Sequence, residues 1–247
     1  MRVGCQIHAS GNIQIHIERF VRRNVDISAS ASKLCQKDHF LVASTVMKHK
    51  LEDWPKWAEY ALQGVAFWIG HRQSLYSDYP LTEAAIVTEI CNLIHANLPD
   101  DFCLKCEVQY SYFLKGDSDQ SILTERARVD LIVAEKHQSN GKKRLKPSFV
   151  IEVKRSSAPK SQIDGDLRRL AAVVAVKPES RAFLFLISEK SRPSRFVSDE
   201  GKSILGKKKI DNSKGHYRVR RTWKAAKAFK SKESAHYACL IEVFHDP

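Results

Sequence analysis

Two apolar stretches, RVDLIV at 128–133 and FVIEVK at 149–154, decide the fold of this chain. Each has the length and residue types of a β-strand. The polar segment between them contains Ser139-Asn140-Gly141, a sequence typical of a turn between two strands. We therefore predict that the two stretches form a β-hairpin.

Charged residues interrupt both stretches, and they are the candidates for chemistry. Side chains alternate across a strand, so Glu152 and Lys154 share one face of the second strand. The hairpin can bring Asp130 of the first strand beside both. Carboxylates bind a hard divalent cation such as Mg²⁺, and an amine stabilises negative charge on a phosphodiester. The three residues therefore predict metal-assisted phosphodiester hydrolysis.

This pattern resembles the PD-(D/E)XK nuclease superfamily, whose signature is an Asp at the start of one strand and Glu/Asp-X-Lys on the next. The matching residues are Asp130 and Glu152-Val153-Lys154, with 21 residues between Asp130 and Glu152. Asp130 follows Val129 and not the proline of the signature, which many members lack. The resemblance covers roughly residues 81 to 188. It implies Mg²⁺ or Mn²⁺ held by Asp130, Glu152 and the carbonyl of Val153, with Lys154 orienting or deprotonating the attacking water.

A helix is predicted over residues 80–99, because prolines bound an apolar stripe of helical period. On a helical wheel of about 100° per residue, Glu83 falls in the middle of the apolar stripe and Glu89 at its edge. A buried carboxylate is costly unless it has a partner, so Glu83 is the predicted third metal ligand. The alternative is that Glu83 lies in the first turn and only complements the helix dipole.

The remaining core elements are a strand over 103–113, a helix over 161–174 and a near-continuously apolar strand over 181–188. The order of elements is then helix, strand, strand, strand, helix, strand. We expect an α/β fold with a mixed central β-sheet flanked by helices. That order is the α-β-β-β-α-β core of the restriction-endonuclease-like fold, which residues 80–190 would form.

The second helix carries one further candidate. Some superfamily members have a catalytic Gln followed by a Tyr in this helix, and Gln162 is the loose match. Asp166 stands where the Tyr would be. The alternative is that Gln162 is an ordinary polar residue near the start of a helix.

Positive charge is concentrated in one part of the chain. The net charge is +13, and residues 192–232 contain 14 Lys or Arg against 3 Asp or Glu. Residues 191–247 are therefore predicted to be a nucleic-acid-contacting segment that ends in a strand of the sheet. The lysines at 207–209 are predicted to lie in a loop, although basic loops are often only solvated. The predicted contacts, which include the hairpin tip, are Lys142, Lys143, Arg144, Lys207, Lys208, Lys209, Arg218, Arg220, Arg221, Lys224 and Lys227.

Composition sets limits on the class of protein. The chain has 247 residues, 43% of them hydrophobic and 28% charged, as in globular proteins. We expect no secretion signal and no membrane span, because apolar runs of the required length are absent. Six cysteines in such a chain predict reduced thiols and a cytoplasmic location. The single CxxC at 103–106 is too little for a zinc site.

Residues 1–79 are predicted to be an N-terminal extension with a strand at 11–18, a linker at 28–32 and a helix at 55–70. The extension could serve dimerisation or DNA contact, in a homodimer or a larger nuclease complex. The prediction for the whole chain is a Mg²⁺-dependent DNA endonuclease, with restriction or defence as the role that the resemblance suggests. The alternatives are a non-catalytic nucleic-acid-binding module and a nuclease acting on RNA or on DNA repair structures.

Overall fold

A computed structural model describes residues 55–75, 79, 81–114, 126–139, 142–189, 191–227 and 231–245. All of these belong to the second of two units into which the chain divides, residues 49–247. The strand predicted at 11–18 and the linker predicted at 28–32 lie outside the described residues. Among the described residues, no helix is long and apolar enough to cross a membrane.

Four helices and seven strands make up the described part of the chain. In chain order they are α1 Lys56–Leu75, α2 Glu83–Asn97, β1 Phe102–Gln109, α3 Tyr110–Phe113, β2 Arg128–Ser139, β3 Lys142–Arg155, α4 Lys160–Val176, β4 Arg181–Ser188, β5 Lys208–Lys209, β6 His216–Lys227 and β7 Ser231–Phe244. Local chemistry sets several ends. For example, the side chain of Thr82 caps α2 by accepting a hydrogen bond of 3.2 Å from the backbone N–H of Ala85.

The seven strands form one mixed sheet in the order β1-β2-β3-β4-β7-β6-β5. β3 and β4 run parallel, and every other neighbouring pair is antiparallel. A parallel pair needs a crossover connection, which α4 supplies. The predicted α/β class, with a mixed sheet flanked by helices, is confirmed.

Two apolar cores cover the faces of the sheet. One lies between the sheet and α4 and includes Leu167 and Leu184, and the other lies beneath α1 and α2 and includes Leu62 and Ile90. We call these the α4-side core and the α2-side core. Residues 182–188 of β4 are all buried, and residues 182–187 alternate between the two cores, as predicted for a central strand covered on both faces.

Three local predictions differ from the structure. The strand predicted over 103–113 ends at Gln109, because the chain turns there and buries Tyr110 in α3. The polar segment between the two hairpin strands is itself paired, from Glu135 opposite Lys146 to Ser139 opposite Lys142. The predicted lysine loop contains β5, which pairs with β6 next to the buried side chain of Ile210.

Candidate active site

The site begins at a break in the regular alternation of β2. Residues two apart on a strand normally face the same way. Val129 nevertheless lies in the α4-side core, whereas Leu131 lies in the α2-side core. On β1, the register places Glu107 opposite Asp130, and Glu107 has a φ of 53°. The distortion therefore falls at Asp130, the first predicted catalytic residue.

Asp130 reaches across to the strand that carries the other candidates. Paired positions of β2 and β3 stop at Leu131 opposite Ile151. Beyond that point a side-chain contact joins the two strands. The Oδ2 of Asp130 accepts a hydrogen bond of 2.6 Å from the backbone N–H of Val153. Burial raises the pKa of Asp130, although the Val153 N–H and a hydrogen bond with Glu152 oppose the shift.

Glu152 lies on the α4 side of β3 and is only 2% exposed. Its Oε1 accepts a hydrogen bond from the Tyr110 hydroxyl, and Arg169 Nε lies 3.4 Å from the same oxygen. Burial, followed by the negative charges of Asp130 and Asp166, raises the pKa of Glu152 to about 8. Without a bound cation, Glu152 is therefore largely protonated at neutral pH.

Lys154 connects the two helices that flank the site. Its Nζ donates a hydrogen bond of 2.8 Å to Glu83 Oε1 on α2 and lies 3.6 Å from Asp166 Oδ2 on α4. Burial lowers the pKa of Lys154, but the hydrogen bond to Glu83 and the charge of Asp166 outweigh burial, so the pKa is raised overall. Lys154 is therefore a cation at neutral pH.

Glu83 is the first residue of α2, and the structure places it at the site through Lys154. Its side chain is 39% exposed, so it lies at the rim of the buried surface and not within it. Ile86, Ile90 and Ile94 form the buried stripe that continues from it along the helix. Glu83 thus lies in the first turn of α2, the position given in the alternative, and its observed partner is the amine of Lys154; its role as a metal ligand stays a prediction.

Gln162 is exposed in the first turn of α4. The α4 side chains that reach the site are instead Asp166, which faces Lys154, and Arg169, which faces Glu152. Asp166 is 1% exposed, and its Oδ1 also accepts a hydrogen bond from Arg169. Its Oδ2 is buried and accepts no hydrogen bond within the described part of the chain.

Tyr110, Asp166 and Arg169 were not among the predicted site residues. For Asp166 a signal exists, because a wheel with Ile163 at zero puts it at about −60°, within the apolar stripe of α4. Arg169 follows at i+3, a spacing at which helical side chains meet. Tyr110 has no such signal, since its position depends on the unpredicted turn after β1.

Three carboxylates, those of Glu83, Asp130 and Asp166, thus interact with Lys154, and a fourth, Glu152, lies beside Asp130 and Asp166. Across the described ranges, no three His, Cys, Asp or Glu side chains are placed to hold a metal ion in this arrangement. The donors nevertheless fit a hard cation in two respects. Burial, followed by repulsion from Asp130 and Asp166, raises the pKa of Glu152, and Asp166 Oδ2 accepts no hydrogen bond among the described residues.

Two predicted nucleic-acid contacts, Arg218 and Arg220, converge on a buried carboxylate. Glu242 of β7 accepts hydrogen bonds from Arg218 Nε at 3.0 Å and Arg220 Nε at 2.5 Å, and from Arg181 Nη2 of β4 at 2.7 Å. Both β6 arginines reach it because the register of β6 shifts between Val219 and Arg221. Three guanidinium groups, from β4 and β6, thus share the carboxylate of Glu242.

The other predicted contacts are more dispersed. Arg221 is 66% exposed and lies 3.1 Å from Glu59 of α1, and Lys208 donates to the carbonyl of Arg195 at 3.2 Å. The side chains of Lys207, Lys209 and Lys224 are exposed. The paired arm of the hairpin contains Lys142, Lys143 and Arg144. The structure describes only the backbone of these three residues and of Lys227.

No protein-family model, curated protein or solved structure matches this chain.

Proposed function

We propose that this protein is a metal-dependent nuclease that hydrolyses phosphodiester bonds in DNA, built on a restriction-endonuclease-like core. The observation that carries the proposal is the meeting of Asp130, Glu152 and Lys154, joined by Glu83, at the point where β2 and β3 stop pairing. These are the side chains of the PD-(D/E)XK signature, and they come from strands in the order that the signature requires. Its proposed biological role is restriction of, or defence against, foreign DNA.

Asp130 and Glu152 would hold Mg²⁺ or Mn²⁺, with Glu83 and the carbonyl of Val153 as further donors. A bound divalent cation supplies a water of lowered pKa and offsets charge on the leaving 3′ oxygen. The site supports such a cation because carboxylates that repel one another are stabilised by a positive charge among them.

The remaining residues of the site have roles that follow from their contacts. Lys154 is a cation, so it stabilises charge on the phosphate and orients water, and it is not the base. Asp166 and Glu83 hold its ammonium group from opposite helices. Tyr110 and Arg169 fix the orientation of Glu152.

A specific observation favours a second candidate, a non-catalytic nucleic-acid-binding module. The described carboxylates do not form a ready three-ligand metal group. The basic hairpin arm and the cations of β5 and β6 would serve either function, because phosphate contacts require only positive charge.

A cleavage assay separates the two candidates. The protein is incubated with plasmid DNA, linear duplex, single-stranded DNA and RNA, each with Mg²⁺ and with EDTA. We expect Mg²⁺-dependent cleavage of DNA that a Glu152→Gln variant, purified in parallel, lacks by at least about a thousandfold. Binding of DNA without cleavage would instead establish the binding module, and preferential cleavage of RNA would correct the substrate.

A matched pair of variants on α2 tests the role of Glu83. Glu83→Gln should lower the cleavage rate at limiting Mg²⁺ by roughly ten- to a hundredfold, as loss of a residue supporting a metal site typically does. Glu89→Gln removes the same charge from the same helix away from Lys154, and should leave the Mg²⁺ dependence unchanged. The cleavage rate of each variant is measured against Mg²⁺ concentration. If the two curves coincide, Glu83 has no role in the site.

A further inference from the structure

A cavity of about 620 Å³ adjoins the candidate site on the α4 side of the sheet. Leu186, which lines it, is the β4 residue paired with Lys154, and Ser156, which also lines it, follows the end of β3. The cavity thus lies at the carboxyl ends of the two parallel strands, where open α/β sheets commonly bind ligands. None of the residues that line the cavity belongs to the candidate site.

The wall of the cavity is strongly basic. Lys160, Arg192, Arg195, Lys208 and Lys209 line it, together with a single carboxylate, Asp211. Asp164 and Asp199 pair with Arg195 and Arg192 from outside the lining. Even with those two counted, cations outnumber carboxylates by five to three. The excess favours an anionic ligand.

Helix α4 adds to this field. It begins at Lys160 on the cavity wall, and its first turn contains no acidic residue. The positive end of a 17-residue helix therefore faces the same space as the lysines. Lys160 and Lys209 are both exposed at the rim.

The floor of the cavity is apolar and aromatic. Ile163, Leu186, Phe196 and Tyr217 line it, and the guanidinium group of Arg195 stacks 5.2 Å from the Phe196 ring centroid and 5.3 Å from that of Tyr217. A cationic rim above an apolar floor matches a ligand with a charged phosphate and a flat base. The volume lies within the usual range for small-molecule sites, about 300–1,000 Å³.

We propose that this cavity binds the phosphorylated terminal nucleotide of a DNA strand, with its phosphate at Lys160 and Lys209 and its base towards the aromatic floor. The proposal rests on the proposed function, since the strand end would be a substrate or product of the adjoining site. The ligand is a nucleoside monophosphate, which could be a free nucleotide or the end of a DNA strand.

Binding is measured by calorimetry in EDTA, so that it does not depend on metal or cleavage. Deoxyadenosine 5′-monophosphate should bind the full chain, whereas deoxyadenosine should not. A Lys160→Gln/Lys209→Gln variant should bind the monophosphate at least about tenfold more weakly, because two charged phosphate contacts are lost. The control variant Lys105→Gln/Lys202→Gln loses the same charge at exposed positions outside the cavity, and should bind as the wild type does.

Oligonucleotides with and without a 5′-phosphate distinguish the two sources of the ligand. The phosphorylated strand should bind more tightly, and the free monophosphate should displace it. Equal binding of the two strands would overturn the strand-end assignment and leave a mononucleotide site. If the monophosphate does not bind, or if both double variants lose affinity equally, the proposal that the cavity binds a nucleotide is wrong. Monophosphate binding in a protein that cleaves no DNA would refute the nuclease proposal alone.

Discussion

Replacing Glu152 with glutamine is expected to make the metal-free protein more stable at pH 8, even though we expect the same change to abolish the proposed cleavage. Burial and the neighbouring negative charges raise the pKa of Glu152 from 4.5 to about 8. Between those values the folded protein holds a proton that the unfolded chain has released, so stability falls as pH rises through that window. Glutamine keeps the shape of the side chain and cannot ionise. The gain at pH 8 should be on the order of 2–4 kcal/mol.

Urea unfolding in EDTA at pH 5 and pH 8 measures this effect. The wild type should lose stability between the two pH values, and the Glu152→Gln variant should lose less. Some slope should remain, because burial also raises the pKa of Asp130 and of Asp166. Glu89→Gln on α2 is the control and should follow the wild-type curve. A variant that is less stable than the wild type at pH 8 would show that the Glu152 charge is well compensated.

Removing the side chain of Glu242 should be among the most destabilising single changes in the described part of the chain. Glu242→Ala leaves Arg181, Arg218 and Arg220 close together without the carboxylate that they share. Glu242 is 6% exposed, so water replaces it poorly. Breaking a buried ionic group by removing one partner costs about 3–5 kcal/mol.

Glu59→Ala is the matched control, because Glu59 also pairs with an arginine of β6. Its partner Arg221 is 66% exposed, and an ion pair of that kind contributes about 0–1 kcal/mol. The unfolding free energies of the two variants in urea give the comparison. Similar losses in both would mean that the three-arginine group around Glu242 adds little to stability.

Much of the fold follows from local pattern. The apolar run of β4 and the hairpin stretches of β2 and β3 form the predicted strands, because burial on both faces or on alternating faces leaves a direct trace in the residues. The helices α2 and α4 likewise match their apolar stripes. The turn into α3 was not predictable in this way, since it depends on the positive φ of Glu107 and on a tertiary site for Tyr110.

In the candidate site, too, some features could be predicted from local sequence and others could not. Asp130, Glu152 and Lys154 were identifiable because a charge inside an apolar strand is unusual and needs a partner. The lysine partner of Glu83 was not identifiable, because it depends on how α2 sits on the sheet. The carboxylate partner of Arg218 and Arg220, which were predicted to contact nucleic acid, was not identifiable for a similar reason. Their shared partner is more than 20 residues away, and the register shift in β6 that brings both of them to it has no local signature.

The position of β7 between β4 and β6 has a consequence for synthesis of the chain. β7 supplies the only strand pairing between β4 and β6 in the described sheet, and it follows both of them in the chain. During translation the apolar β4 strand therefore emerges well before the partner for its second edge. Until β7 leaves the ribosome, no strand pairing joins β1–β4 to the β5–β6 pair in the described sheet, although β6 can already contact α1. Completion of the described sheet therefore requires the last strand of the chain, and the same strand brings Glu242 to Arg181, Arg218 and Arg220.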